Sequence, residues 1–159
     1  MLVFQVNLDQ FKKLEETFDD SLTSDLTDFW QDDGIRLLKP VFGRLFDREG
    51  ATRGSGRQFQ SWQRLSQRTI RQKQRLYPNQ RILQRSGALR RSLTQTPIIG
   101  IEPLELSYST NTHYAIFHEL GTQNLPKRSI FERAAVAAVP ILQTALTRYF
   151  NEKIRDNTS

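Results

Sequence analysis

The alternation of apolar and polar positions at the start of the chain sets Leu2, Phe4, Val6 and Leu8 on one side of an extended segment, which predicts a half-buried strand over residues 2–8. The period then lengthens. Leu8, Phe11, Leu14 and Phe18 recur at helical spacing behind a cap formed by Asn7 with Gln10, which predicts a surface helix ending near Ser21. A second helical series runs from Thr23 or Ser24 through Leu26, Phe29, Trp30, Leu37, Leu38, Val41, Leu45 and Phe46, interrupted by Gly34 and by Pro40, and the proline predicts a kink or break near Lys39. Further on, Ser66 caps a helix carrying Thr69, Ile70, Lys73 and Leu76 that stops before Pro78, and Ser86 caps a turn through Leu89 and Leu93. Residues 94–100 and 104–109 read as a hairpin, with Leu106 and Tyr108 alternating against Glu105 and Ser107. Tyr114, Phe117 and Leu120 fall three apart on a short helix whose apolar face belongs in a core, and Gly121 is placed for a left-handed stop. Ser129 and Glu132 form a capping box, so a last helix runs from Ile130 to about Lys153, with a bend expected at Pro140.

These elements imply an α+β fold in which a small antiparallel sheet is packed by a long C-terminal helix and by N-terminal helices. The 159 residues suit a single domain over 1–159. Residues 50–92 stand out as an arginine-rich projecting arm: GATRGSGR offers little to bury and reads as a loop ordered only by a partner, and the helices after it have few aliphatic residues. No internal repeat is visible. Cysteine is absent, which excludes a disulfide framework and thiolate metal sites and fits a protein made and assembled in a reducing cytosol. No apolar run approaches a membrane span of about 20 residues, and the acidic, amphipathic start does not resemble a signal peptide.

The net charge of +6 is unevenly spread. Residues 1–43 hold nine acidic and four basic residues, residues 44–91 two acidic and thirteen basic, and the remainder six of each. An acidic block beside a basic one suits nucleic acid, an acidic protein partner, or pairing between copies, and charge alone does not choose.

Covalent chemistry finds little footing. His118-Glu119 suggests the zinc-protease motif, but that motif needs a second histidine four residues on, where Thr122 stands, and His113 lies elsewhere on the helix. GATRGSGR lacks the lysine and hydroxyl of a phosphate loop. Asp19-Asp20 and Asp32-Asp33 read as solvated faces. The expectation is therefore of no catalytic, cofactor-binding or metal-ligating residue. The binding candidates are Arg57, Arg64, Arg68, Arg71, Lys73 and Arg75, continued by Arg81, Arg85, Arg90 and Arg91, with Trp62 and Tyr77 available to stack on bases and Leu65 as an apolar anchor. Protein contacts, nucleic acid and plain solvation all stay open for this series.

Three phrases together resemble the tailed-phage virion morphogenesis family, which includes tail-completion proteins and Mu-like neck proteins. They are F-x-x-W-x-x-L-S-x-x-T-I-x-x-K over 59–73, L-x-x-S-G-x-L-x-x-S-L over 83–93, and Y-A-x-x-H-E-x-G-T with L-P-x-R over 114–128. The likeness spans roughly residues 55 to 150. It implies a non-enzymatic structural protein of the virion head-to-tail junction, a homo-oligomeric and commonly hexameric ring that caps the tail tube and meets head-side neck or connector proteins, with contact to the passing DNA left open. The matching positions are Trp62, Leu65, Ser66, Gly87, Tyr114, Ala115, His118, Gly121, Pro126 and Arg128, of which Trp62, Leu65, His118 and Arg128 become interface candidates. A basic arm beside an acidic N-terminal part further suggests that the arm of one copy lies on the acidic helices of the next. The alternative function is a basic nucleic-acid-binding module.

Overall fold

In a computed structural model, which describes residues 2–7, 20–77, 81–102 and 105–157, the fold is α+β. Strand β1 (Leu2–Asn7) pairs antiparallel with β5 (Glu105–Thr110), and β5 pairs on its other edge with β4 (Ile98–Glu102), giving the order β1-β5-β4. The strand expected first in the chain is thus joined to the hairpin expected from the later pattern. Residues 8–19, where the pattern predicts a surface helix, lie outside the described residues, as do residues 103 and 104.

Helix α1 (Asp20–Phe29) runs through a π-helical turn (Trp30–Gly34) into α2 (Ile35–Asp47). Of the kink or break expected near Lys39, the break is absent: α2 carries Pro40 in its interior. Pro40 removes the bond to the Arg36 carbonyl, but both residues lie on the exposed face, where a carbonyl without an intrahelical donor is not buried and costs little. The irregularity falls earlier, at the π-turn, where Gly34 meets the sheet. A Cβ there would lie 2.7 Å from the Trp30 ring and 3.2 Å from the Leu106 side chain. Phe42 of α2 stacks on Tyr108 of β5 with centroids 4.9 Å apart, and the Tyr108 hydroxyl donates to the Leu93 carbonyl.

The glycine-rich stretch is exposed over residues 55–58, as its composition suggests, but it is ordered within the chain and not by a partner. It forms a tight hairpin of β2 (Thr52–Gly54) and β3 (Arg57–Phe59) laid on the C-terminal helix α6 (Phe131–Asn157). A Cβ at Gly54 would stand 2.1 Å from the Val136 carbonyl oxygen, so only glycine permits this approach. The contact has a purpose. Val136 is four residues before Pro140, so its carbonyl has no intrahelical donor, and the Ser55 hydroxyl donates to it instead at 3.3 Å. Helix α6 continues through Pro140 to Asn157 with its lost bond replaced from the hairpin.

Helix α3 (Gln67–Leu76) begins as expected, the Ser66 hydroxyl accepting from the Thr69 amide at 3.2 Å, and ends where Tyr77 turns extended before Pro78. Helix α4 (Ala88–Thr94) follows Gly87, whose φ of 71° is a left-handed entry. Residues of the supposed arm enter the main core: Trp62, Ile82, Leu89 and Leu93 are buried with Phe42, Phe46, Leu106, Tyr108 and Ala138. The arm is therefore largely folded against the chain's own core, and only α3 keeps a long exposed basic face. Among the described residues no helix is long and apolar enough to cross a membrane.

The candidate interface: an arginine row beside a cation-lined cavity

The predicted site residues separate into three groups. Trp62 is a core residue, 2% exposed: its indole N–H donates to the Ser129 carbonyl at 3.1 Å, its ring covers Gly50 and it meets Phe46 edge-on at 5.9 Å. It cannot stack on a base or anchor a partner, and the reason is Gly50, whose φ of 90° and missing Cβ open the slot that the indole fills. Arg57 sits on the hairpin over the Phe59 ring and pairs with Glu132 at 2.9 Å. Both groups are exposed, so the pair adds little to stability.

The second group is the row of Arg64, Arg68, Arg71 and Arg75. All four are exposed, the last three at i, i+3 and i+7 along α3, and none has a carboxylate partner among the described residues. By contrast Arg81 and Arg90 both reach Asp47, and Arg85 lies on the Tyr77 ring and donates to its hydroxyl.

The third group, Leu65, Lys73, His118 and Arg128, comes together around one cavity of about 480 Å³. Lys73 was expected to face a partner. It is instead 6% exposed, its ammonium donating to the Arg81 carbonyl at 2.6 Å. Burial lowers its pKa, with Glu49 opposing that and Arg85 adding to it. Arg128 is 4% exposed; its Nη2 donates to the Gln63 carbonyl at 3.3 Å, while its Nε has no partner among the described residues. His118 Nδ1 is likewise buried and without a partner among them. Burial and then the Arg128 charge lower the His118 pKa, so the ring is neutral at pH 7.

The short helix α5 (Ala115–Leu120) positions His118, but it is turned over relative to expectation. Ala115 and Glu119 are inward, whereas Ile116, Phe117 and Leu120 are exposed, Leu120 at 69%. What decides the rotation is Glu119. Its carboxylate accepts from the amides of Ile130, Phe131 and Glu132, the last two at 3.0 and 3.2 Å, and so caps α6 from another helix. Ser129, the expected cap, instead accepts from Arg133 Nε at 3.2 Å. The Arg128 amide donates to the His118 carbonyl at 2.7 Å, which locks the Gly121–Arg128 loop beneath α5. Gly121 has positive φ as expected, but with ψ of 169° it occupies a region open essentially to glycine alone.

Compared with known proteins, the chain matches no family model, no curated protein and no solved structure. The site is thus read from its own chemistry. Sequence reasoning missed Glu119 as a cap and Arg85 as part of the cavity wall. Glu119 lies eleven residues before its first amide partner, beyond the reach of any local capping pattern. Among the described residues no three His, Cys, Asp or Glu side chains group as metal ligands would.

Proposed function

We propose that this chain is a structural assembly subunit, and that copies of it close head to tail into a ring at the head-to-tail junction of a tailed-phage virion. The observation that carries this reading is the unpaired row Arg64, Arg68, Arg71 and Arg75. Its last three members project from a capped helix and have no carboxylate partner among the described residues, while the chain's acidic excess lies in residues 1–43, so the two blocks of the sequence are complementary in charge. Contacts of that kind are heterologous, and they close when the rotation between copies divides a full turn. The exposed Ile116, Phe117 and Leu120 supply apolar area that charge alone would not give a stable contact. The three sequence phrases shared with the virion morphogenesis family support sixfold closure, capping of the tail tube and a head-side neck partner.

The test is native mass spectrometry over a range of salt, without and with tail tubes. Arg68→Glu with Arg71→Glu should abolish the closed oligomer, with at least a tenfold loss of association, and leave a folded monomer. Reversing Asp19 and Asp20 to arginine in the same chain should restore it. A ring that survives the first double change would sink the pairing. A persistent monomer that ignores tubes and shifts duplex DNA, with affinity falling by powers of ten as salt rises, would favour a nucleic-acid module instead.

A further inference from the structure

The 480 Å³ cavity between α3, the turn at 81–86 and the α5–α6 loop is lined by Lys73, Arg85 and Arg128, by three leucines and by neutral polar and aromatic side chains such as Thr69 and Tyr114, with no carboxylate among the described residues that line it. Arg128 is the informative member. A guanidinium this deeply buried is ordinarily met by a carboxylate, because its own desolvation is offset only by a bidentate anion or a full set of acceptors. Here one carbonyl takes Nη2, and Nε is left without an acceptor. His118 Nδ1 is unpartnered beside it, and Lys73 and Arg85 add positive charge on the same wall. Glu49 partly offsets the charge of Lys73, but it does not line the cavity and its Oε1 accepts from the Ile82 amide.

We infer that this cavity is a receptor for a carboxylate side chain of a partner protein, its aliphatic stem on Leu65, Leu83 and Leu125 and its carboxylate on Arg128. One feature favours a carboxylate side chain over free phosphate. The arginine fork receives the oxygens of either anion, but Leu65, Leu83 and Leu125 suit a short hydrocarbon stem, which an acidic side chain has and phosphate lacks. The volume lies in the range of ligand pockets and holds one acidic side chain with part of its neighbours. The site does not rest on the ring reading: it exists within one copy, and its occupant can come from any protein that presents an acidic residue in an apolar setting.

The experiment follows the side-chain Nε–Hε resonance of Arg128 in nitrogen-15-labelled wild-type protein, so no variant has to fold. The probes are N-acetyl-Leu-Glu-Leu-amide, the same peptide with Gln in place of Glu, and inorganic phosphate. The glutamate peptide should shift the resonance saturably, and the other two should bind at least about tenfold more weakly. Arg128→Lys, which keeps the charge and loses the fork, should weaken the glutamate peptide by about the same factor. No shift with the glutamate peptide overturns the proposal. Equal binding of the glutamine peptide, or of phosphate, overturns the assignment to a carboxylate.

Discussion

Glu119 shows how one side chain can decide the orientation of an element. Three backbone amides at the start of α6 converge on its carboxylate, so replacing it strands buried donors rather than merely losing a contact. Glu119→Ala should cost about 2–3 kcal/mol, and Glu119→Gln, which keeps an acceptor oxygen without the charge, about 1 kcal/mol; urea denaturation midpoints measure both. His118 yields a pH prediction. Burial, followed by the Arg128 charge, lowers its folded pKa, whereas the unfolded chain holds it near 6.5. The unfolded state therefore binds the proton first as pH falls. Stability is fully present above about pH 6.5 and declines as pH falls through the folded value. The urea midpoint of the wild type should drop between about pH 7.5 and 5.5, and His118→Phe should reduce that drop. Sequence singled out both residues of this adjacent pair, setting a metal motif aside for want of a second histidine and carrying His118 forward as an interface candidate. Their work as helix cap and cavity wall depends on partners that folding brings in from residues 128–132.

At the scale of elements, the hairpin and the C-terminal helix explain each other. Pro140 removes a donor from α6, and Ser55 supplies one to the same carbonyl from a hairpin that Gly54 allows to lie directly on the helix. Each of these residues, taken alone in the sequence, reads as a breaker or as a flexible loop. Gly54→Ala should push the hairpin off α6 at a cost of about 1–3 kcal/mol and raise amide exchange over residues 52–59. Gly56→Ala meets nothing within 4 Å and should cost only the strain of its positive φ, roughly 1–2 kcal/mol, with α6 contacts intact. The helix α5 teaches the converse. Its apolar residues at 114, 117 and 120 do share a face, yet a six-residue helix is too short for that face to outweigh a buried carboxylate holding another helix end.

For the molecule as a whole, the question is whether residues 50–92 form an appendage or part of the fold. The two tryptophans answer from opposite sides: Trp30 lies in the π-turn, Trp62 in the supposed arm, and both belong to the same buried cluster. Single-tryptophan proteins made by Trp30→Phe or Trp62→Phe should therefore unfold with coincident fluorescence and circular-dichroism transitions, whereas an independent arm would release the Trp62 signal first. Trp62→Ala should cost about 3–5 kcal/mol, a large share of a typical domain's stability.

Sequence by itself determined the α+β class, the strand at the N-terminus, the hairpin pattern, the Ser66-capped helix and the basic excess between residues 44 and 91. Those rest on periodicity, caps and charge, which act over a few residues. It also brought Leu65, Lys73, His118 and Arg128 forward, but only within a longer list of interface candidates that held Arg57, Trp62, Arg64, Arg68, Arg71 and Arg75 as well. Only the tertiary structure decided which of the basic residues stay in water, that Trp62 and Lys73 turn inward, that Glu119 caps a distant helix and that a glycine-rich loop mends a proline's missing bond. In each case the deciding partner lies eight or more residues away in sequence, and burial, rather than residue type, sets the role.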